Sequence, residues 1–496
     1  MDPLTSILRN WSLLGSAHVI SSLIAMAVMV FVSRTLGDVE FGRLHLALTL
    51  TTIVGVVVDS GLTPVVTRVV ARDRALARPY LLRAALVVGA LGCCLYLVLL
   101  GCVAALGLTE IRSLVAILGV LIVVEGFSMV LSALFQAHEQ MVVPAIARVA
   151  GNATTFAVVV PLLWRGYGIE MVATVVVLGA LLRVAIQAAA VGRLGGFKLA
   201  ASPSPSLRQV LAAGLPFLAA QGLGMFVVRI DVVILALLTS VAAVGWYGAA
   251  FRLVEALNFI PLVLTMVTFP VLSRLWVDAR PDFHATVLKM LRIILVIAVP
   301  LSMMLLVLAE DVVDLLFTLR GYARVVPILR IEAVSLAFVF VDYFLVCTLM
   351  AIGRERIWIA IVAASCLLNP ALNFVLIPAT DALYANGAIG AALATLLTEI
   401  FFLVTTLRAL PAGVIGVDSA RVAIRVVALG GMLGALLIGS RAVGVPWVLA
   451  AAVWGCAYVA AVFQFGLVPP DVIAWARGMI LRRRQPIAAA VRSDAA

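Results

Sequence analysis

Four ionisable residues lie close together inside otherwise apolar sequence: Arg229, Asp231, Arg252 and Glu255. They flank a tight turn at residues 240–243, with Arg229 before it and Arg252 after it. At 1.5 Å of rise per helical residue both guanidinium groups sit about 13–17 Å from that turn, at nearly the same depth. Arg252 and Glu255 share a helix face at i,i+3 spacing, so the four residues can form one polar cluster on a hairpin. Two chemistries are open to it. The charges can pair and lock the hairpin. Alternatively Arg229 and Arg252 can line a wet cavity and grip a phosphate bidentately. Asp231 and Glu255 would then keep the anion from being held too tightly and could take up protons.

Further charges lie within apolar stretches: Asp59, Glu125, Arg183, Asp342 and Glu399. Each costs several kcal/mol if it faces lipid. Asp59 precedes Gly61 and Pro64, which predicts an irregular helix there, with Asp59 either lining a cavity or capping a helix end. Arg183 is expected to snorkel to the interface. Asn369-Pro370 with Asn373 marks a kinked helix, a hinge candidate or an ordinary proline kink. Arg34, Arg68 and Arg274 close helices at the two faces, as topology anchors or gate residues. No P-loop, GxSxG, HExxH or DxD pattern is found in a suitable setting, and the four histidines and six cysteines have no ligand spacing. No catalytic residue, metal or cofactor is expected, and without a nucleotide site any energy the protein uses must come from an ion gradient or the membrane potential.

The elements that position these residues are membrane helices. Hydrophobic residues make up 65% of the chain and charged residues 12%, with mean hydropathy +1.21. A soluble domain of this length needs roughly twice that charge. About fourteen apolar runs are each long enough to cross a hydrocarbon core of about 30 Å. The net charge of +11 concentrates in the loops of one face and in the tail, so it reports topology with both termini cytoplasmic, and not a nucleic-acid partner.

The chain also repeats itself. Pro64-Val65-Val66-Thr67-Arg68 recurs as Pro270-Val271-Leu272-Ser273-Arg274, and Phe41-Gly42 as Tyr247-Gly248, at one offset of about 206 residues. Asn152, Pro161 and Tyr167 recur as Asn369, Pro378 and Tyr384 at about 217, which places the extra residues in the charged outward loop at 311–325. The expected architecture is an all-α polytopic membrane protein with two pseudo-symmetric six-helix lobes, 1–200 and 209–412. A Ser/Pro linker at 201–208 joins them, helices thirteen and fourteen span 413–470, and a cytoplasmic tail covers 471–496. Duplicated bundles of this kind are most often transporters that rock around a central cavity.

The opening stretch, through Arg34, Leu36-Gly37, Phe41-Gly42, Asp59-Ser60-Gly61-Leu62 and Arg68, resembles the polysaccharide-transporter branch of the multidrug/oligosaccharidyl-lipid/polysaccharide exporter superfamily. The centre, with Arg229, Asp231, Gly245, Tyr247, Ala250 and Arg252, resembles that branch's counterpart, and the likeness covers nearly the whole length. The resemblance implies a bacterial inner-membrane flippase for undecaprenyl-pyrophosphate-linked oligosaccharide, such as an O-antigen or exopolysaccharide unit, and not an enzyme. It implies that the first, second, seventh and eighth helices line the cavity, bringing Asp59, Arg229, Asp231, Arg252 and Glu255 around it. The implied partners are the lipid-linked oligosaccharide, membrane lipids, and a polymerase and chain-length regulator, with the flippase a monomer that binds no nucleic acid. A lipid II flippase or a multidrug exporter of the same superfamily is the alternative. The first helix lacks the arginine-rich stretch expected of the former, and two central arginines and 7% aromatic residues suit organic cations poorly.

Overall fold

The computed structural model describes residues 3–59, 61–192, 206–411, 413–414 and 417–468. Residues 201–205 of the expected linker and the tail 471–496 lie outside them. The described residues form helices and turns, without strands, because in hydrocarbon a backbone must satisfy its own polar groups. In chain order the helices are α1 (Pro3–Asp59), α2 (Leu62–Arg72), α3 (Ala77–Ala105), α4 (Arg112–Leu118), α5 (Val120–Ala137) and α6 (Val142–Trp164). There follow α7 (Ile169–Val191), α8 (Leu207–Leu238), α9 (Val241–Glu255), α10 (Phe259–Asp278), α11 (Arg280–Val307) and α12 (Ala309–Phe317). The last six are α13 (Leu319–Tyr322), α14 (Val325–Ala351), α15 (Glu355–Tyr384), α16 (Ala388–Ala409), α17 (Val417–Ala442) and α18 (Trp447–Gln464).

Among the described residues, 13 helical stretches are long and apolar enough to cross a membrane. The first, Val19–Arg72, has 54 residues, about 80 Å of helix against a core of about 30 Å. Gly37, at φ 84° and ψ 179°, interrupts it, so α1 is two arms joined at a glycine. Counting those arms separately brings the total to the fourteen expected. This is a multi-pass membrane protein.

Two compact units emerge. The first comprises 1–263, 312–332 and 356–401; the second comprises 264–311, 333–355 and 402–496. In the first unit, α1 packs on α6 and α9, and α6 on α7. Lipid supplies no hydrophobic drive between helices, so close approach of small residues and interhelical hydrogen bonds must hold them. Gly151 and Gly179 face each other so tightly that a Cβ on Gly151 would sit 2.7 Å from the Gly179 carbonyl oxygen. Asn152 Nδ2 donates to Ser21 Oγ at 2.7 Å, tying the first arm of α1 to α6. Gln187 joins Ser128 and Ser132 at 3.1 and 2.9 Å. Arg183, expected to snorkel, instead pairs with Glu125 across α5 and α7, because a partner within reach costs less than a charge facing lipid.

In the second unit α17 and α18 pack on α11. Val299, Val426, Leu429, Leu433, Leu437 and Tyr458 are buried there, and Tyr458 Oη donates to the Val296 carbonyl at 3.2 Å. The last two helices are thus packed elements with an anchor on α11.

Two local features depart from the expected spans. The helix after the turn at 240–243 stops at Glu255 and restarts at Phe259, although the apolar run continues. Pro261 explains the break: it has no N–H to donate to the carbonyl of Leu257, and its ring crowds that carbonyl. The outward loop at 311–325 is also largely helical, forming the end of α12 and α13.

Candidate functional site

α8 and α9 meet at the turn after Leu238, where Ser240 caps α9 by accepting from the Ala243 amide at 3.3 Å. This hairpin sets Arg229 and Arg252 side by side. Glu255 joins them: Oε1 accepts from Arg229 Nη2 at 2.7 Å and Oε2 from Arg252 Nη1 at 2.9 Å. The cluster carries two cations and one anion. Its side chains are 12% (Arg229), 29% (Arg252) and 31% (Glu255) exposed, so all three are partly buried, Arg229 most. The Arg229 guanidinium lies 5.3 Å from the centre of the Phe251 ring, a cation–π contact that fixes its plane.

His45, on the second arm of α1, adds a third element. It is buried and lies within electrostatic reach of both Arg252 and Arg229. Its ring fills the space beside Gly248, where a Cβ would stand 2.6 Å from His45 Cδ2. The sequence offers one signal for it, a histidine within an apolar run, and long-range packing supplies the rest.

Asp231 is not part of the arginine cluster. Two residues along a helix differ by about 200° in direction, so Asp231 leaves α8 on nearly the opposite side from Arg229. Its Oδ1 accepts from Asn373 Nδ2 at 2.6 Å; its Oδ2 accepts from Thr395 Oγ1 at 2.7 Å and Tyr247 Oη at 3.2 Å. Asn369 extends the set, its Oδ1 accepting from Asn373 Nδ2 and its own amide donating to Thr398 at 3.3 Å. Asn369 and Asn373 thereby join a buried polar centre, and α15 runs on through Pro370. Glu332, on α14, and Glu399, on α16, lie within electrostatic reach of each other, and Glu332 also of Asp231. The Asn373 Oδ1 atom is buried without a partner. Hard oxygen donors around one carboxylate suit a proton or a small hard cation. Among the described residues no three His, Cys, Asp or Glu side chains group as a metal centre. Tyr247 stacks on Phe251 with ring centres 5.9 Å apart, so the two polar centres share one face of α9.

The second arm of α1 and the start of α9 touch through glycines. A Cβ on Gly42 would run into the Val241 carbonyl and lie 3.0 Å from the Gly245 amide, and one on Gly245 would overlap the Asp38 carbonyl. Trp246 Nε1 donates to Asp38 Oδ2 at 2.7 Å, and the Arg324 guanidinium lies 4.6 Å from the Trp246 ring centre. Nearby, Arg34 donates to the carbonyls of Leu316, at 2.6 Å, and Leu315. These carbonyls belong to the last turn of α12. Tyr322 Oη donates to the Ser33 carbonyl at 3.1 Å, and burial pushes that phenol's pKa up.

Asp59 caps the short helix α2, its Oδ1 accepting from Thr63 Oγ1 at 2.6 Å and from the Thr63 amide at 3.3 Å. Gly61, at φ 66°, makes the expected irregularity. A side chain there would also collide with the Gly214 carbonyl and Phe217 of α8. Asp59 is therefore near α8 and apart from the arginines. Arg68, on α2, and Arg274, on α10, are both exposed.

Comparison with solved structures supplies the fold's context. The chain is similar to an inward-facing multidrug resistance MATE family transporter of the MOP superfamily, with TM-score 0.66 and 16% identity over 78% of this chain and 94% of that one. It is equally similar to the lipid II flippase MurJ in an inward closed conformation, with TM-score 0.66 and 13% identity over 91% and 99% of the two chains. A MOP superfamily transporter from Pyrococcus furiosus, described by the reverse polarity of its binding pocket, follows at TM-score 0.58 and 15% identity over 82% and 96%. At these identities the likeness establishes the fold. A search of curated proteins returns no significant match. Residues 7–276 match the family described as polysaccharide biosynthesis protein. That match runs over more than half of the 496 residues, from the first arm of α1 through both arginines to α10, and the chain belongs to this polysaccharide biosynthesis family.

Proposed function

We propose that this protein is a flippase that moves undecaprenyl-diphosphate-linked oligosaccharide from the cytoplasmic to the periplasmic leaflet of a bacterial inner membrane by alternating access. The observation that carries the reading is the pairing of Arg229, on α8, and Arg252, in the last turn of α9, on one carboxylate. Two guanidinium groups that share one anion match the two phosphates of a diphosphate, and family membership supplies the glycan context. A net positive cluster disfavours an organic cation as cargo. Both termini are cytoplasmic in this scheme, the protein works as a monomer, and a polymerase and chain-length regulator receive the translocated units.

No nucleotide is needed. Outward movement of the diphosphate's negative charge runs down an inside-negative potential, about 2.3 kcal/mol per elementary charge per 100 mV. Asp231, held by Thr395, Asn373 and Tyr247, is the group that couples a proton or small cation to the cycle. Arg34, Arg68 and Arg274 serve at the gates, and Asp59 at the bend of the second membrane pass.

The test is replacement of each arginine. Arg229→Gln and Arg252→Gln should abolish surface polysaccharide, with normal protein in the membrane and lipid-linked units accumulating on the cytoplasmic side. Normal export by both variants refutes the diphosphate site. Lipid II, the cargo named for the similar MurJ structure, has the same diphosphate linkage. Rescue of a strain lacking its lipid II flippase would identify that cargo.

A further inference from the structure

The arginine cluster holds an anion of its own. Glu255 spends one carboxylate oxygen on Arg229, at 2.7 Å, and the other on Arg252, at 2.9 Å. Two non-bridging oxygens of a phosphate group would engage the same two guanidiniums in the same way. Glu255 stands in an unfavourable place for a carboxylate. It is the last residue of α9, where the helix macrodipole is negative and favours cations. Local helix energetics therefore give no reason for an acid here, and the two arginines do. It also stands at a break. Residues 256–258 are turns between α9 and α10, so the carboxylate sits at a helix end and not within a continuous helix. Glu255 is the most exposed of the three side chains, at 31%, and Arg229 the least, at 12%. The site retains unspent donors besides: Arg229 Nε and Arg252 Nε are buried without hydrogen-bond partners. Glu255 therefore leaves part of the donor set idle, as a stand-in smaller than the intended ligand would.

We infer that Glu255 is the resident anion of this site: it occupies Arg229 and Arg252 when the site is empty, and an arriving diphosphate displaces it. The inference rests on the diphosphate reading given above and adds a mechanism of release. Substrate competes with a tethered carboxylate, so it is held less tightly than two free arginines would hold it. When the substrate leaves, Glu255 closes on the arginines again and no bare pair of cations is left in the membrane.

The experiment uses the full chain in lipid nanodiscs, with inorganic pyrophosphate and undecaprenyl diphosphate as probes in separate arms. Arg229→Gln and Arg252→Gln should each weaken binding about tenfold or more. Glu255→Gln, which keeps the shape and removes the charge, should tighten binding by about tenfold while surface polysaccharide falls, because release has become slow. Glu255→Asp, whose carboxylate is drawn back by one methylene, should tighten in the same direction by less, and serves if the Gln variant fails to fold. If the arginine variants lose binding but Glu255→Gln and Glu255→Asp bind equally or more weakly, Glu255 only props the arginines, and the inference falls while the diphosphate site stands. If the arginine variants bind like the unaltered protein, the site and the inference fall together. A lower concentration for undecaprenyl diphosphate than for pyrophosphate identifies the lipid carrier, not free pyrophosphate, as the natural ligand.

Discussion

Replacing Gly42 by Ala adds a single methyl group, and the structure says where it goes. It runs into the backbone carbonyl oxygen of Val241 and lies 3.0 Å from both the Val241 carbonyl carbon and the Gly245 amide nitrogen, where ordinary contact begins at 3.4 Å. All of these neighbours are backbone atoms, so no rotamer change relieves the clash and the two helices must part. Overpacking of this kind typically costs about 1–3 kcal/mol. Parting the helices also threatens the bond from Trp246 to Asp38, 2.7 Å long. Gly55 lies on the same arm of α1 with nothing within 4 Å of its Cβ position. Gly55→Ala should therefore gain the usual helical advantage of Ala over Gly, about 0.5–1 kcal/mol. The two substitutions are chemically identical and share that helical gain, so they should differ by the overpacking cost, about 1–3 kcal/mol. Reversible unfolding of the purified variants in mixed micelles measures this difference, and surface polysaccharide reports whether the parted helices still support transport. Equal stability of Gly42→Ala and Gly55→Ala would refute the close crossing of α1 and α9.

Asp231→Asn keeps the shape of the side chain and removes its charge; it should abolish export at unchanged membrane abundance, as quantified by surface glycan staining against an immunoblot. Tyr247→Phe removes one of the three hydrogen bonds to Asp231 and should cost about 1 kcal/mol of stability, read as a lowered midpoint in the same unfolding assay. Arg34→Ala strips the carbonyls of Leu315 and Leu316 of their partner; amide exchange over residues 313–322 should quicken, with global stability lowered by about 1 kcal/mol. Glu125→Gln should destabilise by about 1–3 kcal/mol because it leaves the partly buried Arg183 without its counter-charge. The double change Glu125→Gln with Arg183→Leu should recover much of that loss, and a strictly additive result would show that the pair is not coupled.

Much of the site's axial geometry was legible by counting. A tight turn and 1.5 Å per residue place Arg229 and Arg252 at one depth, and i,i+3 spacing adds Glu255; the structure joins these three. Counting failed for Asp231, which was grouped with them by proximity in sequence. Depth follows from residue number, but direction around the helix matters only once neighbouring helices are in place. Two of the three partners of Asp231, Asn373 and Thr395, are more than 140 residues away, and no local pattern announces such a meeting. His45 and Glu332 went unnoticed for the same reason, since a lone polar residue in an apolar run carries no period. The break at residues 256–258 was legible in principle from Pro261, although the apolar run continues through it unchanged.

Composition and periodicity alone determine that this chain lives in a membrane and that it is helical, and two short words of its first hairpin recur about 206 residues later. Those properties follow from the solvent: hydrocarbon demands long apolar segments whose backbone bonds close within the helix. Tertiary structure alone decided which buried charge meets which partner. Arg229 went to Glu255, Asp231 to Asn373 and Thr395, and Arg183 to Glu125. Inside lipid an unpaired polar group is costly, so each such group takes the partner that helix packing brings within reach, and that packing is set by glycine contacts such as Gly42 with Gly245 and Gly151 with Gly179.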